Sequence, residues 1–389
     1  MPSKPKLLYL LTEDSFFCSH FMERALAARA AGYEVVVAAR ENSYGERVRA
    51  TGLRFISVPF NRSGMNPFRE FLVLLKLWML YRRERPTIVH QVSAKPILYG
   101  SLAARLSGVS AVVNAPVGMG YIFSSTDLRA RILRPWLRLA YRFFTNPKHS
   151  KVIFENPDDL ANFVNWKAVR PADTVLIRGA GINLDQFQPV EKPETIPVIV
   201  LTARMLRDKG VEEFVSAAHQ LYDEKIKARF VLVGAPDPIN PTSITVEMLN
   251  TWNGEKNVEW WGWREDVAAV LHEAHIVCLP SYREGLPKSL IEAAACGLPI
   301  VTTDTTGCRE VVDDGKNGFL VPVRDAISLA KALKKLILDS TLCQRMGAYS
   351  RKKAEAEFSS EQVIRETLAV YSQLAPISSS IATIESSSS

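Results

Sequence analysis

Short apolar runs alternate with longer stretches of mixed polarity through the first half of the chain. The runs are rich in Val, Ile and Leu and have the length of strands that are buried on both faces of a parallel sheet. The alternation predicts a βαβα series, which forms a parallel sheet covered by helices on both faces. The predicted strands are Leu7–Leu11, Glu34–Ala39, Phe55–Val58, Ile88–Val92, Ala111–Asn114 and Val152–Phe154, and the predicted helices include Phe21–Ala31, Phe68–Arg83 and Leu98–Leu106.

The same rhythm restarts after the Pro-containing stretch 189–197. Because 389 residues exceed what one compact core normally holds, two domains are expected. We predict domains over residues 1–188 and 189–358, a helix over 359–375 and a Ser-rich tail over 376–389 that is expected to be disordered. The strands predicted for the second domain are Val198–Thr202, Phe230–Val233, Val258–Trp261, Ile276–Leu279 and Ile300–Thr302.

A βα turn in the second half carries the most informative chemistry. After the strand Ile276–Leu279, Gly285 allows a tight turn and Pro287 suits the first position of a helix that is expected to end at Gly297. A helix that starts at the carboxyl end of a parallel strand offers unpaired N–H groups and a positive dipole end. The turn is therefore suited to a phosphate.

Two glutamates flank this predicted anion site. Glu284 lies in the turn before the helix, and Glu292 lies a turn or more into it. A carboxylate accepts two hydrogen bonds from a vicinal diol, as at a ribose, so the pair indicates a clamp on a sugar-diphosphate-ribose unit. The spacing alone fits equally well two solvated glutamates beside an ordinary βα turn.

Two cations follow the first strand of the second domain. Arg204 and Lys209 are five residues apart, and Gly210 follows them, so both side chains could converge on one diphosphate. Taken alone, the segment would equally fit basic residues on a solvated turn.

These motifs resemble a known enzyme family. Glu284 and Glu292 match the Glu-x7-Glu signature of retaining GT-B glycosyltransferases, and their flanking residues 284–287 and 292–299 resemble family 4 of that group. The resemblance implies an α/β fold of two doubly wound Rossmann-like domains facing across a cleft, with a last helix that returns to the first domain. It also implies that Glu284 contacts the donor sugar, that Glu292 binds the ribose, and that Arg204 and Lys209 neutralise the leaving diphosphate.

Further donor contacts follow from the same resemblance. The backbone of the loop and helix start would hold the diphosphate, Gly234 would let the chain approach the ligand closely, and the segment around Trp263 would hold the nucleotide base. Trp263 could instead be a core residue. The predicted donor-binding residues are Glu292, Gly285, Leu286, Pro287, Lys288, Gly234, Trp263 and Arg264.

The acceptor side resembles the branch that builds bacterial surface polysaccharides and lipid-linked oligosaccharides. Ser19 is predicted to cap a helix with His20 in its first turn, and Lys95, with His90 nearby, would lie at the mouth of the fourth strand to meet an acceptor diphosphate. Many family members have a His-Gly at the end of the fifth strand. Here Asn114 takes the nearest polar position, and Gly118 lies in the loop that follows.

Positive charge is concentrated in the first half of the chain. Residues 1–190 hold 26 Lys and Arg and 14 Asp and Glu, a balance of +12 in a chain of net charge +7. Residues 129–151 hold seven Lys and Arg, no acidic residue and several aromatic ones, which favours peripheral contact with an anionic membrane over a plain solvated face. No nucleic-acid motif accompanies the charge.

From these residues and the resemblance, we predict a retaining glycosyltransferase. It would transfer a hexose or N-acetylhexosamine from a UDP-sugar to a lipid-linked or nascent polysaccharide acceptor, without metal or cofactor, on the cytoplasmic face of the cell membrane. No signal peptide or membrane-spanning run is evident. Two alternatives stay open: a UDP-sugar 2-epimerase of the same architecture and a non-catalytic sugar-nucleotide-binding subunit.

Overall fold

The structure is a computed structural model that describes residues 4–60, 66–117, 128–192 and 195–376, apart from the side chains of residues 128–130. It divides the chain into two compact units. The first unit comprises Met1–Gly181 and Glu361–Ser389, and the second comprises Ile182–Ser360. Each unit has its own parallel sheet.

The first unit contains a seven-stranded parallel sheet in the order β3-β2-β1-β4-β5-β6-β7. Alternate residues of β1 enter cores on opposite faces, Leu7 and Tyr9 on one and Leu8 and Leu10 on the other, because side chains alternate along a strand. Its elements are β1 (Lys6–Glu13), α1 (Asp14–His20), α2 (Met22–Ala30), β2 (Glu34–Arg40), α3 (Gly45–Ala50), β3 (Arg54–Ser57), α4 (Pro67–Glu84), β4 (Ile88–Val92), α5 (Ala94–Ser107), β5 (Ala111–Ala115), α6 (Leu128–Phe144), β6 (Ser150–Phe154), α7 (Pro157–Asn165) and β7 (Thr174–Leu176).

The second unit contains a six-stranded parallel sheet in the order β10-β9-β8-β11-β12-β13. Its elements are β8 (Val198–Thr202), α8 (Val211–Asp223), β9 (Arg229–Val233), α9 (Val246–Trp252), β10 (Val258–Trp260), α10 (Val267–Glu273), β11 (Ile276–Leu279), α11 (Lys288–Ala295), β12 (Ile300–Thr303), α12 (Cys308–Val311), β13 (Gly318–Val321), α13 (Ala326–Leu338) and α14 (Ser340–Glu357). A single-turn 3-10 helix, Arg207–Lys209, follows β8.

Strand order reverses between β1 and β4 in the first unit and between β8 and β11 in the second. In open α/β sheets, ligands bind at the carboxyl ends of the strands where the order reverses. The loops after β8 and β11 carry the predicted cations and Glu284, so the donor-side prediction falls at this position.

The final helix, α15 (Ser360–Leu374), packs on the first unit. Its Tyr371 hydroxyl lies 2.7 Å from the Tyr9 hydroxyl and 2.6 Å from Nδ1 of His90. The first unit is therefore built from two separate parts of the chain. Its first part ends at Gly181, seven residues before the predicted boundary at 188, and Ile182 forms backbone hydrogen bonds with Phe358 and Ser360 of the second unit.

Candidate functional site

The loop after β8 is held against the loop after β11 by close backbone packing. Gly210 has a positive φ of 72°, and a Cβ at this position would collide with the carbonyl oxygen of Pro280. The backbone carbonyl of Asp208 accepts hydrogen bonds from the Ser281 hydroxyl at 3.0 Å and from the Tyr282 N–H at 2.9 Å. The two segments thus form one interlocked pair of loops at the strand-order reversal.

The loop after β12 supports this pair from the other side. Gly307 packs on the backbone of Glu284 and Gly285 so closely that a Cβ would collide with the Gly285 carbonyl oxygen. The Glu284 N–H donates to the Thr306 carbonyl at 3.3 Å. The backbone that carries Glu284 is consequently fixed by loops that follow two neighbouring strands.

Lys209 and Glu284 meet across the interlocked loops. The Lys209 ammonium lies 2.5 Å from the Glu284 carboxylate, and the two side chains are 21% and 11% exposed. Two residues that are 75 positions apart in the chain are therefore in direct contact. The resemblance implies that Lys209 neutralises the leaving diphosphate and that Glu284 orients the sugar. Their contact would let both side chains act on one substrate.

Arg204 pairs with a residue that was missed in the sequence. Its guanidinium lies 2.6 Å from the carboxylate of Asp237, which follows β9, while its own side chain remains 46% exposed. The signal for Asp237 was weak, because an acidic residue shortly after Gly234 at a strand end is common in loops. The structure places Arg204 on the same loop as Lys209 but bound to a different carboxylate.

Tyr282 is a second missed residue. Its hydroxyl donates to the Glu213 carboxylate at 2.7 Å, and the Arg324 guanidinium lies over its ring at 4.6 Å. Because Glu213 belongs to α8, this bond ties the loop of Glu284 to the helix that follows Lys209. Tyr282 therefore contributes to the position of both predicted catalytic side chains.

Glu292 is buried in α11. Burial raises the pKa of Glu292 from 4.5 to about 7, although the Lys288 ammonium at 3.7 Å lowers it in part. The predicted helix start was off by one residue, since Pro287 is the N-cap and α11 begins at Lys288. Within the described residues, no side chain caps this end, and the Leu290 N–H donates to the Pro287 carbonyl at 3.0 Å. The positive end of the helix dipole favours an anion here.

Three further residues that were predicted to bind the donor differ in their surroundings. Gly234 has a φ of 145° and lies against the Ala203 carbonyl, next to Arg204. Trp263 is 57% exposed, so the alternative that it packs in the core is wrong. Arg264 forms a two-bond ion pair with Asp266 at 2.6 and 2.7 Å, within its own loop.

The predicted geometry at His20 is wrong. Ser19 and His20 lie in the last turn of α1, which begins at Asp14, and Ser19 does not cap a helix start. The Ser19 hydroxyl lies 2.6 Å from His20 Nδ1, and the imidazole stacks on the Phe16 ring at 4.2 Å. Helix α1 starts early because Asp14 is buried and accepts hydrogen bonds from the backbone of the loop after β2.

Lys95 lies at the start of α5, directly after β4, as predicted. Its ammonium is 2.7 Å from the carboxylate of Glu70 on α4, and its side chain is 22% exposed. His90, by contrast, is not at the mouth of the strand. It is fully buried beneath α15, and burial lowers the pKa of His90 from 6.5 to about 3.

Asn114 is fully buried, so its predicted position toward an acceptor is wrong. Its amide nitrogen donates to the Thr145 carbonyl at 2.7 Å and to the Ser101 hydroxyl at 3.2 Å. Asn114 therefore links β5 to its covering helices. Gly118 lies outside the described residues.

Comparison with known proteins identifies the family. The family model for glycosyl transferases group 1 matches residues 183–353, and the glycosyl transferase 4-like model matches residues 6–156. The chain is 30% identical over 322 residues to the N,N'-diacetylbacillosaminyl-diphospho-undecaprenol alpha-1,3-N-acetylgalactosaminyltransferase of Campylobacter jejuni, covering 79% of this chain and 83% of that protein. The chain belongs to the group 1 glycosyltransferases.

A second relative agrees with this assignment, and a solved structure shares the fold. The glycosyltransferase is 25% identical over 304 residues to the UDP-Gal:alpha-D-GlcNAc-diphosphoundecaprenol alpha-1,3-galactosyltransferase of Escherichia coli, covering 75% of this chain and 76% of that enzyme. The sucrose-phosphate synthase structure from Thermosynechococcus elongatus matches with a TM-score of 0.77 at 20% identity, covering 95% of this chain and 99% of that one. The predicted GT-B fold class is confirmed, and the epimerase alternative is not favoured.

No helix in the described part of the glycosyltransferase is both long and apolar enough to cross a membrane.

Proposed function

We propose that this glycosyltransferase is a retaining enzyme that moves a hexose or N-acetylhexosamine from a UDP-sugar to an undecaprenyl-linked or nascent surface-polysaccharide acceptor. The observation that carries the proposal is the contact of Lys209 with Glu284 at the strand-order reversal of the second sheet. Similarity to enzymes named for undecaprenyl-diphosphate sugars supports the acceptor class.

The reaction exchanges one bond at the anomeric carbon of the donor sugar. The bond to the diphosphate oxygen breaks, a bond to the acceptor oxygen forms on the same face, and the acceptor proton passes to the departing diphosphate. Lys209, Arg204 and the N–H groups at the start of α11 would stabilise the charge that develops on that diphosphate. Glu284 would orient the sugar, and Glu292 would accept hydrogen bonds from the ribose hydroxyls.

Membrane contact is part of the proposal. Helix α6 exposes Trp136 and Phe143 by 68% and 67%, and its basic residues lie in the segment 129–151 that has no acidic residue. Each Lys or Arg near an anionic surface contributes ~1 kcal/mol, so the helix is suited to the cytoplasmic face of a membrane.

The test is transfer from a panel of UDP-sugars to vesicles that contain undecaprenyl-diphosphate-linked acceptors, with the anomeric configuration of the product read by NMR. We expect an α-linked product. Lys209→Ala should lower kcat by ~10²- to 10³-fold, which is typical for loss of one preorganised charge-stabilising group. Arg207→Ala, on the same short helix, is the matched control because Arg207 pairs with Glu212.

Each contrary result has a distinct meaning. A β-linked product would refute retention. Interconversion of UDP-sugars without acceptor would identify an epimerase, and UDP-sugar binding without turnover on any acceptor would identify a non-catalytic subunit.

A further inference from the structure

An apolar groove lies on one face of the first unit. Helix α5 forms its floor and packs against α4 on one side and α6 on the other. The groove has a volume of about 300 Å³, and its apolar lining is Phe71 and Leu74 of α4, Leu98 and Leu102 of α5, and Ala140 and Phe144 of α6. This volume is at the lower end of the range for small-molecule sites.

One end of the groove lies beside an ion pair. Glu70 lines it there and is held by the Lys95 ammonium at 2.7 Å. Since Lys95 begins α5 directly after β4, this end lies near the carboxyl edge of the sheet, where its strand order reverses. The apolar lining follows α5 away from that edge, from Leu98 to Leu102.

The surface beside the groove is both apolar and basic. Helix α4 exposes Phe68 by 70% and Phe71 by 59%, and α6 exposes Trp136 and Phe143 to a similar extent. The sequence of α6 also contains Arg131, Arg134, Arg138 and Arg142 and no acidic residue. An apolar channel within such a surface is complementary to a lipid that carries a negatively charged head group.

We propose that this groove binds the isoprenoid chain of the lipid-linked acceptor, with the acceptor diphosphate at the Lys95 end. The inference rests on the proposed function and deepens it, because it assigns a site to the lipid part of the substrate. The groove thereby selects acceptors by their chain, whereas the exposed residues of α4 and α6 contact bulk phospholipid.

Filling the groove tests the assignment. In Ala140→Phe, the added ring occupies the groove but leaves the charge and the exposed apolar residues unchanged. Leu139→Phe, at the neighbouring 45% exposed position, is the matched control because Leu139 is not among the lining residues. Transfer is measured with an undecaprenyl-diphosphate-linked sugar and with a soluble analogue that carries the same sugar diphosphate on a short alkyl chain.

We expect Ala140→Phe to lower kcat/KM for the undecaprenyl acceptor by about tenfold, which corresponds to the loss of roughly two buried methylene groups, and to leave the short-chain reaction unchanged. Leu139→Phe should leave kcat/KM unchanged for both acceptors. Leu102→Ala, which shortens a half-buried lining side chain, should repeat the selective loss if the larger ring disturbs folding. Binding to vesicles of phosphatidylglycerol should be the same for all variants.

Four results would overturn the assignment. An equal loss with both acceptors would indicate damage to the first unit, and a parallel loss of vesicle binding would indicate a phospholipid site. A dimer in sedimentation that Ala140→Phe dissociates would assign the groove to a second copy of the chain. Wild-type enzyme that transfers to neither acceptor refutes the proposed function itself, whereas transfer to both with no effect of Ala140→Phe refutes only the groove.

Discussion

Glu292 combines deep burial with a single cationic neighbour at 3.7 Å. Its pKa of about 7 lies in the range where cells and assays operate. In the proposed site, the carboxylate must be ionised to accept two hydrogen bonds from the ribose diol. Donor binding is therefore expected to depend on the charge of this one residue.

We predict that UDP binds more tightly as the pH rises from 6 to 8, because Glu292 loses its proton across this interval. Glu292→Gln should weaken UDP binding by ~10-fold at pH 8, as expected for a lost hydrogen bond to a charged group. Calorimetric titration of both proteins across this range makes the comparison. The Gln variant supplies the control for ionisation of UDP itself, and identical pH profiles would contradict the ribose assignment.

Asp237 reduces the positive charge that Arg204 presents. The carboxylate lies 2.6 Å from the guanidinium and would repel a diphosphate that approaches the same cation. Asp237→Asn should therefore strengthen UDP binding by ~2- to 5-fold, a range that allows for solvent screening at this half-exposed arginine. Asp266→Asn makes the same change beside Arg264 and should have a smaller effect. Weaker UDP binding by Asp237→Asn would show that Asp237 is needed to orient Arg204.

At the scale of elements, the interlocked loops depend on Gly210. Gly210→Ala would strain a φ of 72° and also force the Pro280 carbonyl to move. Gly254→Ala is the matched control, because its φ of 83° is similar but no atom lies within 4 Å of the added carbon. We expect the control to cost ~1 kcal/mol of unfolding free energy from backbone strain alone.

Gly210→Ala should cost at least ~1 kcal/mol more than this control and should weaken UDP binding, since Lys209 and Glu284 are held by the displaced loops. Urea unfolding monitored by tryptophan fluorescence gives the first quantity, and calorimetric titration gives the second. Equal losses for the two variants would mean that the loops adjust without strain.

Most strands could be predicted because each is a short apolar run of β-branched and aliphatic residues. Two strands were missed. The three-residue β7 (Thr174–Leu176) is too short to give a pattern and is only half-buried, and β13 (Gly318–Val321) begins with glycine and is partly exposed. Side-chain direction at the acceptor-side strand ends could not be predicted. Polar residues such as His90 and Asn114 were expected at the sheet edge, but α15 and the helices next to β5 cover them.

The donor side was more predictable than the acceptor side for a physical reason. Lys209 and Glu284 follow strands that flank the same reversal of strand order, so their contact follows from topology once the strands are known. Asp237 could not be found in this way. Its pairing with Arg204 depends on the path of the loop after β9, which the apolar pattern does not determine.

At the scale of the whole molecule, the two units contain buried groups that respond to acid in opposite directions. In the first unit, burial holds the pKa of His90 near 3, below its unfolded value of 6.5. Between these values the unfolded chain binds the proton more readily, so His90 by itself lowers the stability of this unit as the pH drops below 6.5. Glu155 in the same unit acts in the opposite direction, because burial raises its pKa from 4.5 to about 7. In the second unit, the pKa of Glu292 is about 7 when folded and 4.5 when unfolded, so the stability of this unit rises as the pH drops from 7 to 4.5.

Each group contributes up to ~1.4 kcal/mol per pH unit within its interval. Because the units have separate cores, we predict that scanning calorimetry shows two unfolding transitions. The second unit's transition should move to higher temperature from pH 7.5 to pH 5, whereas the first should move less, because His90 and Glu155 oppose each other there. Added UDP should raise the temperature of the second unit's transition and so identify it. His90→Gln should leave only the Glu155 contribution, so that the first transition moves to higher temperature at pH 5, and Glu292→Gln should remove the acid stabilisation of the second. If both transitions shifted together in every variant, the two units would unfold as one coupled system. A single cooperative transition reports only the sum of the opposing contributions, so neither buried group would then control the stability of its own unit.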